Sequence, residues 1–374
     1  MPLRIGIVGL PNAGKSTLFN ALTQANAAVA SYPFTTIEPH VGVAEVPDPR
    51  LEAIASLIKP DKVVPTTIQF VDIAGLVKGA HRGEGLGNQF LAHIREVDAI
   101  ALVLRCFENP DVAHMSTRLD PTEDLEVLDL ELSLADLGTV ERRIERTQAA
   151  SKAHPKDFEH ELAALDLLRE HLAQGRPARA FPAAGAKVDT SGRAQPLVAE
   201  LFLLTNKPRL LVANVGEEAL PDGGPMAAQV IETAAREGSQ AVVLCADCES
   251  ALVEWPPDEA AAYRAELGLS APGLERLVQA SYQLLNLITF FTITGGEVVR
   301  AWTLHRGESA WHAAGQVHTD MQQGFIRADV VRHADLLAAG SMAATREAGR
   351  LRSEGRDYLV QDGDVIHIHF SARA

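Results

Sequence analysis

Gly9-Leu10-Pro11-Asn12-Ala13-Gly14-Lys15-Ser16 lies between an apolar, β-branched run (Leu3 to Val8) and a helical run that begins at Thr17. No other feature constrains the chain as tightly. The segment fits G-x-x-x-x-G-K-[ST] in full. A strand, a glycine turn and a helix start in that order let successive backbone N–H groups turn inward around an anion, as in a phosphate loop. Lys15 then supplies a point charge to the outer phosphates and the Ser16 hydroxyl a ligand to Mg²⁺, while Asn12, Ala13, Gly14 and Thr17 complete the nucleotide-facing turn.

Further strand-like runs follow at Val41 to Val46, Ile68 to Val71, Ala99 to Leu104, Leu210 to Ala213 and Ala241 to Leu244. Most are apolar throughout, which predicts an α/β fold with a mainly parallel sheet covered by helices on both faces. The interval before Leu210 is too long for an ordinary crossover, so something is inserted there. Within it Val127, Leu130, Leu134, Leu137, Val140 and Ile144 repeat at helical spacing, as do Phe158, Leu162, Leu165, Leu168 and Leu172 beyond Pro155. A helical hairpin with one apolar seam is expected, either a packing element or an arm that docks a partner. From about residue 285 the texture changes to an alternating run (Val298 to Leu304), a short helix near Ser309 to Val317 and a closing strand (Val365 to Phe370), a small α+β domain.

With 374 residues, more than one core usually serves, two or three domains are expected. No apolar run approaches the roughly 20 residues of a membrane span, and Met1-Pro2-Leu3-Arg4 leads straight into a strand, so a cytoplasmic protein is expected. The net charge of −15 sits almost entirely ahead of residue 285. That disfavours non-specific grip on nucleic acid, and leaves open a structured partner with its own basic surface. Three cysteines make no disulfide framework. Cys245 and Cys248 have C-x-x-C spacing, but without a second pair or a finger histidine they read better as two small buried thiols than as a metal or redox site. His367 and His369 likewise read better as the wet face of a strand than as metal ligands.

A magnesium site needs a carboxylate, and Asp72 stands at the end of the Ile68 to Val71 run. Gly75 follows, able to turn its N–H to the terminal phosphate, and Gly79, Gly83, Gly85 and Gly87 mark a switch. In Pro33-Phe34-Thr35-Thr36 a loop hydroxyl, Thr36 rather than Thr35, completes the metal shell. The glutamine that many GTPases place after the switch glycine is replaced by Leu76, which cannot orient water. Candidates for that role are Asn12, whose carbonyl can hold a potassium ion beside the phosphates, and the loop histidine His114, with His81 behind them.

A guanine-reading N-K-x-D should follow a strand. Asn206-Lys207 precedes one and is a decoy, whereas Asn214-Val215-Gly216-Glu217 sits at the end of the Leu210 to Ala213 strand, where open sheets bind ligands. Val215 replaces the lysine and Glu217 the aspartate. A carboxylate accepts both guanine donors when held at the right reach, and a longer Glu on a glycine-containing loop is badly placed for it. Weakened guanine selectivity is expected, with ATP at least as good a ligand.

GLPNAGKSTLFN, YPFTTIEPHVG, DIAGLVKGAHRGEGLGNQF, NVGE and the tail DYLVQDGDVIHIHF together resemble the Obg-like ATPase (YchF) family over nearly the whole chain. The resemblance implies a nucleotide domain (1–119 and 204–284), an inserted helical arm (120–203) and a ubiquitin-like TGS domain (285–374). It also implies slow ATP hydrolysis with ribosome binding, and a histidine at the position of His114. A GTPase of the same fold is the first rival. A nucleotide-sensing redox or binding regulator with incidental hydrolysis is the second.

Overall fold

The computed structural model describes residues 3–25, 40–73, 86–109, 119–152, 154–181, 187–188 and 195–371. The chain divides into two compact units, Met1–Val43 with Gln69–Leu277, and Ala44–Ile68 with Val278–Ala374. Along the chain the strands are β1 (Arg4–Val8), β2 (Val41–Glu45), β3 (Lys62–Val64), β4 (Thr67–Asp72), β5 (Ala99–Cys106), β6 (Lys187–Val188), β7 (Gln195–Pro196), β8 (Arg209–Val215), β9 (Gln240–Leu244), β10 (Leu287–Thr294), β11 (Val298–His305), β12 (Phe325–Arg332), β13 (Arg352–Glu354) and β14 (Asp364–Phe370).

The first sheet has the order β2-β4-β1-β5-β8-β9. β1 pairs in parallel with β4 on one side and β5 on the other, and parallel pairing continues through β8 and β9. Every residue of β5 and β8 is buried, as continuous apolar runs require of strands covered on both faces. The chain reverses its direction of travel across the sheet at β1, so the crevice at its C-terminal end is a topological switch point.

The expected hairpin is formed by the helices Pro121–Ser151 and Pro155–Ala173. Asp120 caps the first, accepting from the Thr122 N–H at 2.9 Å, with Pro121 opening the turn. At roughly 1.5 Å per residue this helix is about 46 Å long, and its two halves bury different things. Leu125, Leu128, Leu132 and Ala135 join the core of the sheet, while Val140 and Ile144 pack with Ala164, Leu165, Leu168 and Leu172 of the second helix. The expected stripe is correct from Leu137 onward, and Val127 packs against the sheet core; between them Leu130 is exposed, and the most deeply buried face includes Asp124, Glu131 and Asp136. Those acidic residues hid the true face. Asp136 accepts from the Leu204 and Thr205 N–H groups, both at 2.8 Å, and from the Thr205 hydroxyl at 2.7 Å, fixing the segment that leads back into β8. Asp129 receives both Arg179 (3.1 Å) and Arg209 (2.6 Å) at the same level.

The second unit is a mixed sheet in the order β13-β12-β14-β10-β11-β3, crossed by the helix Ala310–Val317. Ser309 and His312 form a reciprocal cap at the start of that helix. This unit also contains residues 44–68, which sequence reasoning leaves with the nucleotide domain. β3 pairs in parallel with β11. Leu51 and Ile54, from the helix Pro49–Ile58, pack with Phe291, Val299, Ala301, Val331, Leu336 and Val365. Arg50 bonds Asp48 and Asp362 together, an ion pair across a long stretch of sequence. On β14, Ile366 and Ile368 are buried, His367 is exposed and His369 is half-buried with its Nε2 2.8 Å from Asp329. Among the described residues no group of three potential metal ligands surrounds the two histidines.

Candidate functional site

The phosphate loop leaves β1 at Val8 and enters the helix Lys15–Ala25. Two of its glycines are required by space. A Cβ on Gly9 would lie 2.4 Å from the Val103 carbonyl oxygen of β5, and one on Gly14 would lie 2.1 Å from Asn214 Nδ2. Gly14 also has φ +89°, and Asn12, at φ 65°, takes the left-handed conformation that asparagine tolerates best among side-chain residues. Lys15 is 7% exposed, and its ammonium donates to the Leu10 carbonyl at 2.8 Å, back across the loop. Burial pushes its pKa down and the Asp72 charge pushes it up, with burial the larger influence.

Asp72 closes β4, its Cα opposite Ile7 of β1, so the strand end delivers the carboxylate beside the loop. Its backbone N–H is held by the His40 carbonyl at 2.9 Å. The Ser16 hydroxyl is 3.5 Å from Asp72 Oδ2, too far for a strong hydrogen bond. Asp72 Oδ1 is buried and has no hydrogen-bond partner among the described residues. A buried carboxylate oxygen left without a donor, beside a hydroxyl and an ammonium, fits a hard cation that takes oxygen ligands. Thr36, Gly75 and His114, together with Thr35, Leu76 and His81, lie outside the described residues.

On the base side, Asn214 is the last residue but one of the buried β8 and is 4% exposed. Its Nδ2 donates to the Ala13 carbonyl at 3.0 Å, and its Oδ1 accepts from the Ala246 N–H at 2.9 Å. It therefore ties the phosphate loop to the turn after β9, a structural duty that the sequence does not disclose. Val215 is buried in the sheet core. Glu217 opens the turn Glu217–Ala219 and is exposed. Tyr263 donates to its Oε1 at 2.5 Å, and the Cys248 thiol approaches its Oε2 at 3.9 Å. The bond to Glu217 is the main reason that the Tyr263 phenol is pushed up to about 12. Asn206-Lys207 is a decoy, as expected: Lys207 donates to the Val97 and Arg95 carbonyls at 2.6 and 3.1 Å, in a different part of the unit.

Tyr263 and Arg105 are the residues that sequence reasoning missed. Tyr263 lies on the helix Pro257–Glu266, far along the chain from Glu217, and no local signal links them. Arg105, 3% exposed at the end of β5, donates to the Phe107 and Asn109 carbonyls at 3.2 Å and stacks over the Phe107 ring, fixing the first residues after the strand. An arginine in an otherwise apolar buried strand was the available clue.

The geometry agrees with what known proteins resemble this chain. A family model described as YchF-GTPase_C, protein of unknown function, matches residues 287–371, and one described as 50S ribosome-binding GTPase matches residues 4–143. The chain is 49% identical to the "Ribosome-binding ATPase YchF" of Bacillus subtilis, over 99% of this chain and 100% of that one. It is 47% identical to the protein of the same name from Escherichia coli, again over 99% and 100%. A solved structure of the Schizosaccharomyces pombe YchF GTPase superposes with a TM-score of 0.82 at 31% identity, covering 98% of this chain and 97% of that one.

Proposed function

The chain belongs to the YchF family, and from that premise we propose that it is a nucleotide switch that binds the ribosome and slowly hydrolyses ATP with Mg²⁺. The observation that carries the chemistry is the convergence on one glycine-built loop of Lys15, Ser16 and an Asp72 oxygen that has no partner among the described residues. Lys15 binds the outer phosphates, and the loop backbone from Asn12 to Thr17 holds and orients them. Ser16, Asp72 and Thr36 would hold the metal. Magnesium, when bound, neutralises charge that develops on the transferring phosphoryl group. In this reading the Gly75 N–H meets the terminal phosphate, His114 orients the attacking water, and Asn12 supports a potassium ion.

ATP is the preferred nucleotide in this reading because both oxygens of the Glu217 carboxylate already face donors, which leaves less for guanine N1–H and its amine. The names of the relatives divide on this point, ATPase for the bacterial proteins and GTPase for the yeast one. Competition of ATP and GTP for one bound probe decides it. A preference for GTP beyond about tenfold, roughly 1.4 kcal/mol, defeats the ATP reading. The ribosomal partner, and with it a cytoplasmic location, is tested by pelleting. The chain should sediment with ribosomes and not with random RNA, since its acidic balance disfavours bare phosphate backbones. Sedimentation no better than that of an unrelated acidic protein removes the partner.

A further inference from the structure

Beside the base-side edge lies a sulfur pair that nucleotide hydrolysis does not use. Cys245 follows β9 and caps the helix Ala246–Leu252, and Cys248 is in that helix's first turn. The Cys248 N–H donates to Cys245 Sγ at 3.3 Å, which sets the two residues against each other at the start of the helix. Cys245 is buried and Cys248 half-buried, so the pair has one sulfur within reach of solvent.

Both cysteines are wired to the site. Cys248 Sγ is 3.9 Å from Glu217 Oε2. The peptide N–H immediately after Cys245, that of Ala246, holds Asn214 Oδ1, and Asn214 holds the Ala13 carbonyl of the phosphate loop. A disulfide has an S–S length of about 2.05 Å, well inside the contact distance of two unbonded sulfurs, so closing it must draw the first helical turn and Cys245 together.

We propose that Cys245 and Cys248 are a modification site, closing reversibly to an intramolecular disulfide under a peroxide and thereby weakening nucleotide binding. Cys248 attacks one peroxide oxygen; the O–O bond breaks, the Cys248 thiol proton leaves with the departing oxygen as the first water, and Cys248 becomes a sulfenic acid. Cys245 sulfur then displaces that oxygen as the second water and the S–S bond forms. Two thiols and one peroxide give one disulfide and two waters. A thiol reductant reverses the step. The neighbouring Cys248 holds the Cys245 thiol below its ordinary value, which makes Cys245 the readier sulfur to displace the sulfenic oxygen. Cys106, buried and pushed up to about 12 chiefly by burial, is the internal control that stays reduced.

The effect on nucleotide rests on the base-side reading above; formation of the disulfide does not. The test treats the full chain with hydrogen peroxide, removes it with catalase, alkylates free thiols and digests with trypsin. Both cysteines fall in the peptide between Arg236 and Arg264. That peptide should be two hydrogens lighter and refractory to alkylation, while Cys106 is alkylated. Affinity for a non-hydrolysable ATP analogue should fall several-fold and return with dithiothreitol. In Cys248→Ser, which keeps a hydroxyl toward Glu217, peroxide should leave affinity unmoved. Two alkylatable thiols after peroxide, Cys248 taken to a sulfinic acid without pairing, or a disulfide formed at unchanged affinity each overturn the proposal. A reduced native chain that binds neither ATP nor GTP removes the base-side reading instead, and the peptide mass still decides the disulfide.

Discussion

The Tyr263 hydroxyl donates to the Glu217 carboxylate at 2.5 Å, joining a helix to the turn where a guanine-binding protein would carry its base-reading aspartate. Glu217 is thus a carboxylate whose first claim is internal. Removing the claim should restore part of its appetite for guanine. Tyr263→Phe keeps the ring and its contact with Trp255 and deletes only the donor. The ratio of GTP to ATP affinity should rise several-fold in a competition titration. An unchanged ratio would mean that Glu217 does not face the purine.

Lys15→Ala should lower the hydrolysis rate at least a hundredfold or so, the usual order for loss of one fixed electrostatic donor to a transition state. Ser16→Ala should chiefly raise the magnesium concentration needed for half-maximal rate. Hydrolysis at the native rate by Lys15→Ala would move the phosphate site elsewhere.

Gly14→Ala should remove nucleotide binding while leaving the fold intact. The added methyl meets Asn214 Nδ2 at 2.1 Å, and φ +89° is a strained angle for alanine, at a cost of order 1–3 kcal/mol. Asn214→Ala tests the same contact from the other side, leaving the buried Ala13 carbonyl and Ala246 N–H unpaired at about 1–3 kcal/mol each. Melting and nucleotide titration separate the two effects. Tight nucleotide binding by Gly14→Ala would show that the loop does not need this conformation.

Burial pushes the His367 imidazole below its ordinary value; the His369 ring and the guanidinium groups of Arg327 and Arg346 act in the same sense, and Asp329 opposes them. The unfolded chain therefore takes its proton first, near pH 6.5, and stability present above that pH is lost as pH falls through the lower folded value. His367→Gln should narrow that loss. The melting-temperature difference, variant minus native, should move in the variant's favour between about pH 7.5 and 5, by a small amount because the ring is only partly shielded from water. A pH-independent difference would uncouple His367 from folding.

The strands of the first sheet and the phosphate loop were legible because their signals are local: continuous apolar runs, a glycine spacing, a carboxylate at a strand end. The phase of the long helix was misread where Asp124, Glu131 and Asp136 are buried, because polarity along a sequence says nothing of a hydrogen-bond partner far along the chain, such as Thr205 for Asp136. The same reason hid the engagement of Asn214 with Ala13 and of Glu217 with Tyr263. Leu51 and Ile54 show an ordinary amphipathic helix, and nothing in their spacing names Phe291 and Val331 as the residues that cover them.

That last packing has a genetic consequence. Since Lys62–Val64 supplies the strand beside β11, and the helix Pro49–Ile58 part of the core, the C-terminal sheet is encoded in two stretches of the gene separated by most of the nucleotide-binding sequence. It cannot be gained, lost or exchanged as a tail. Recombination at a single breakpoint near residue 285 would carry away a sheet missing its edge strand and leave behind an apolar helix with nothing to cover it.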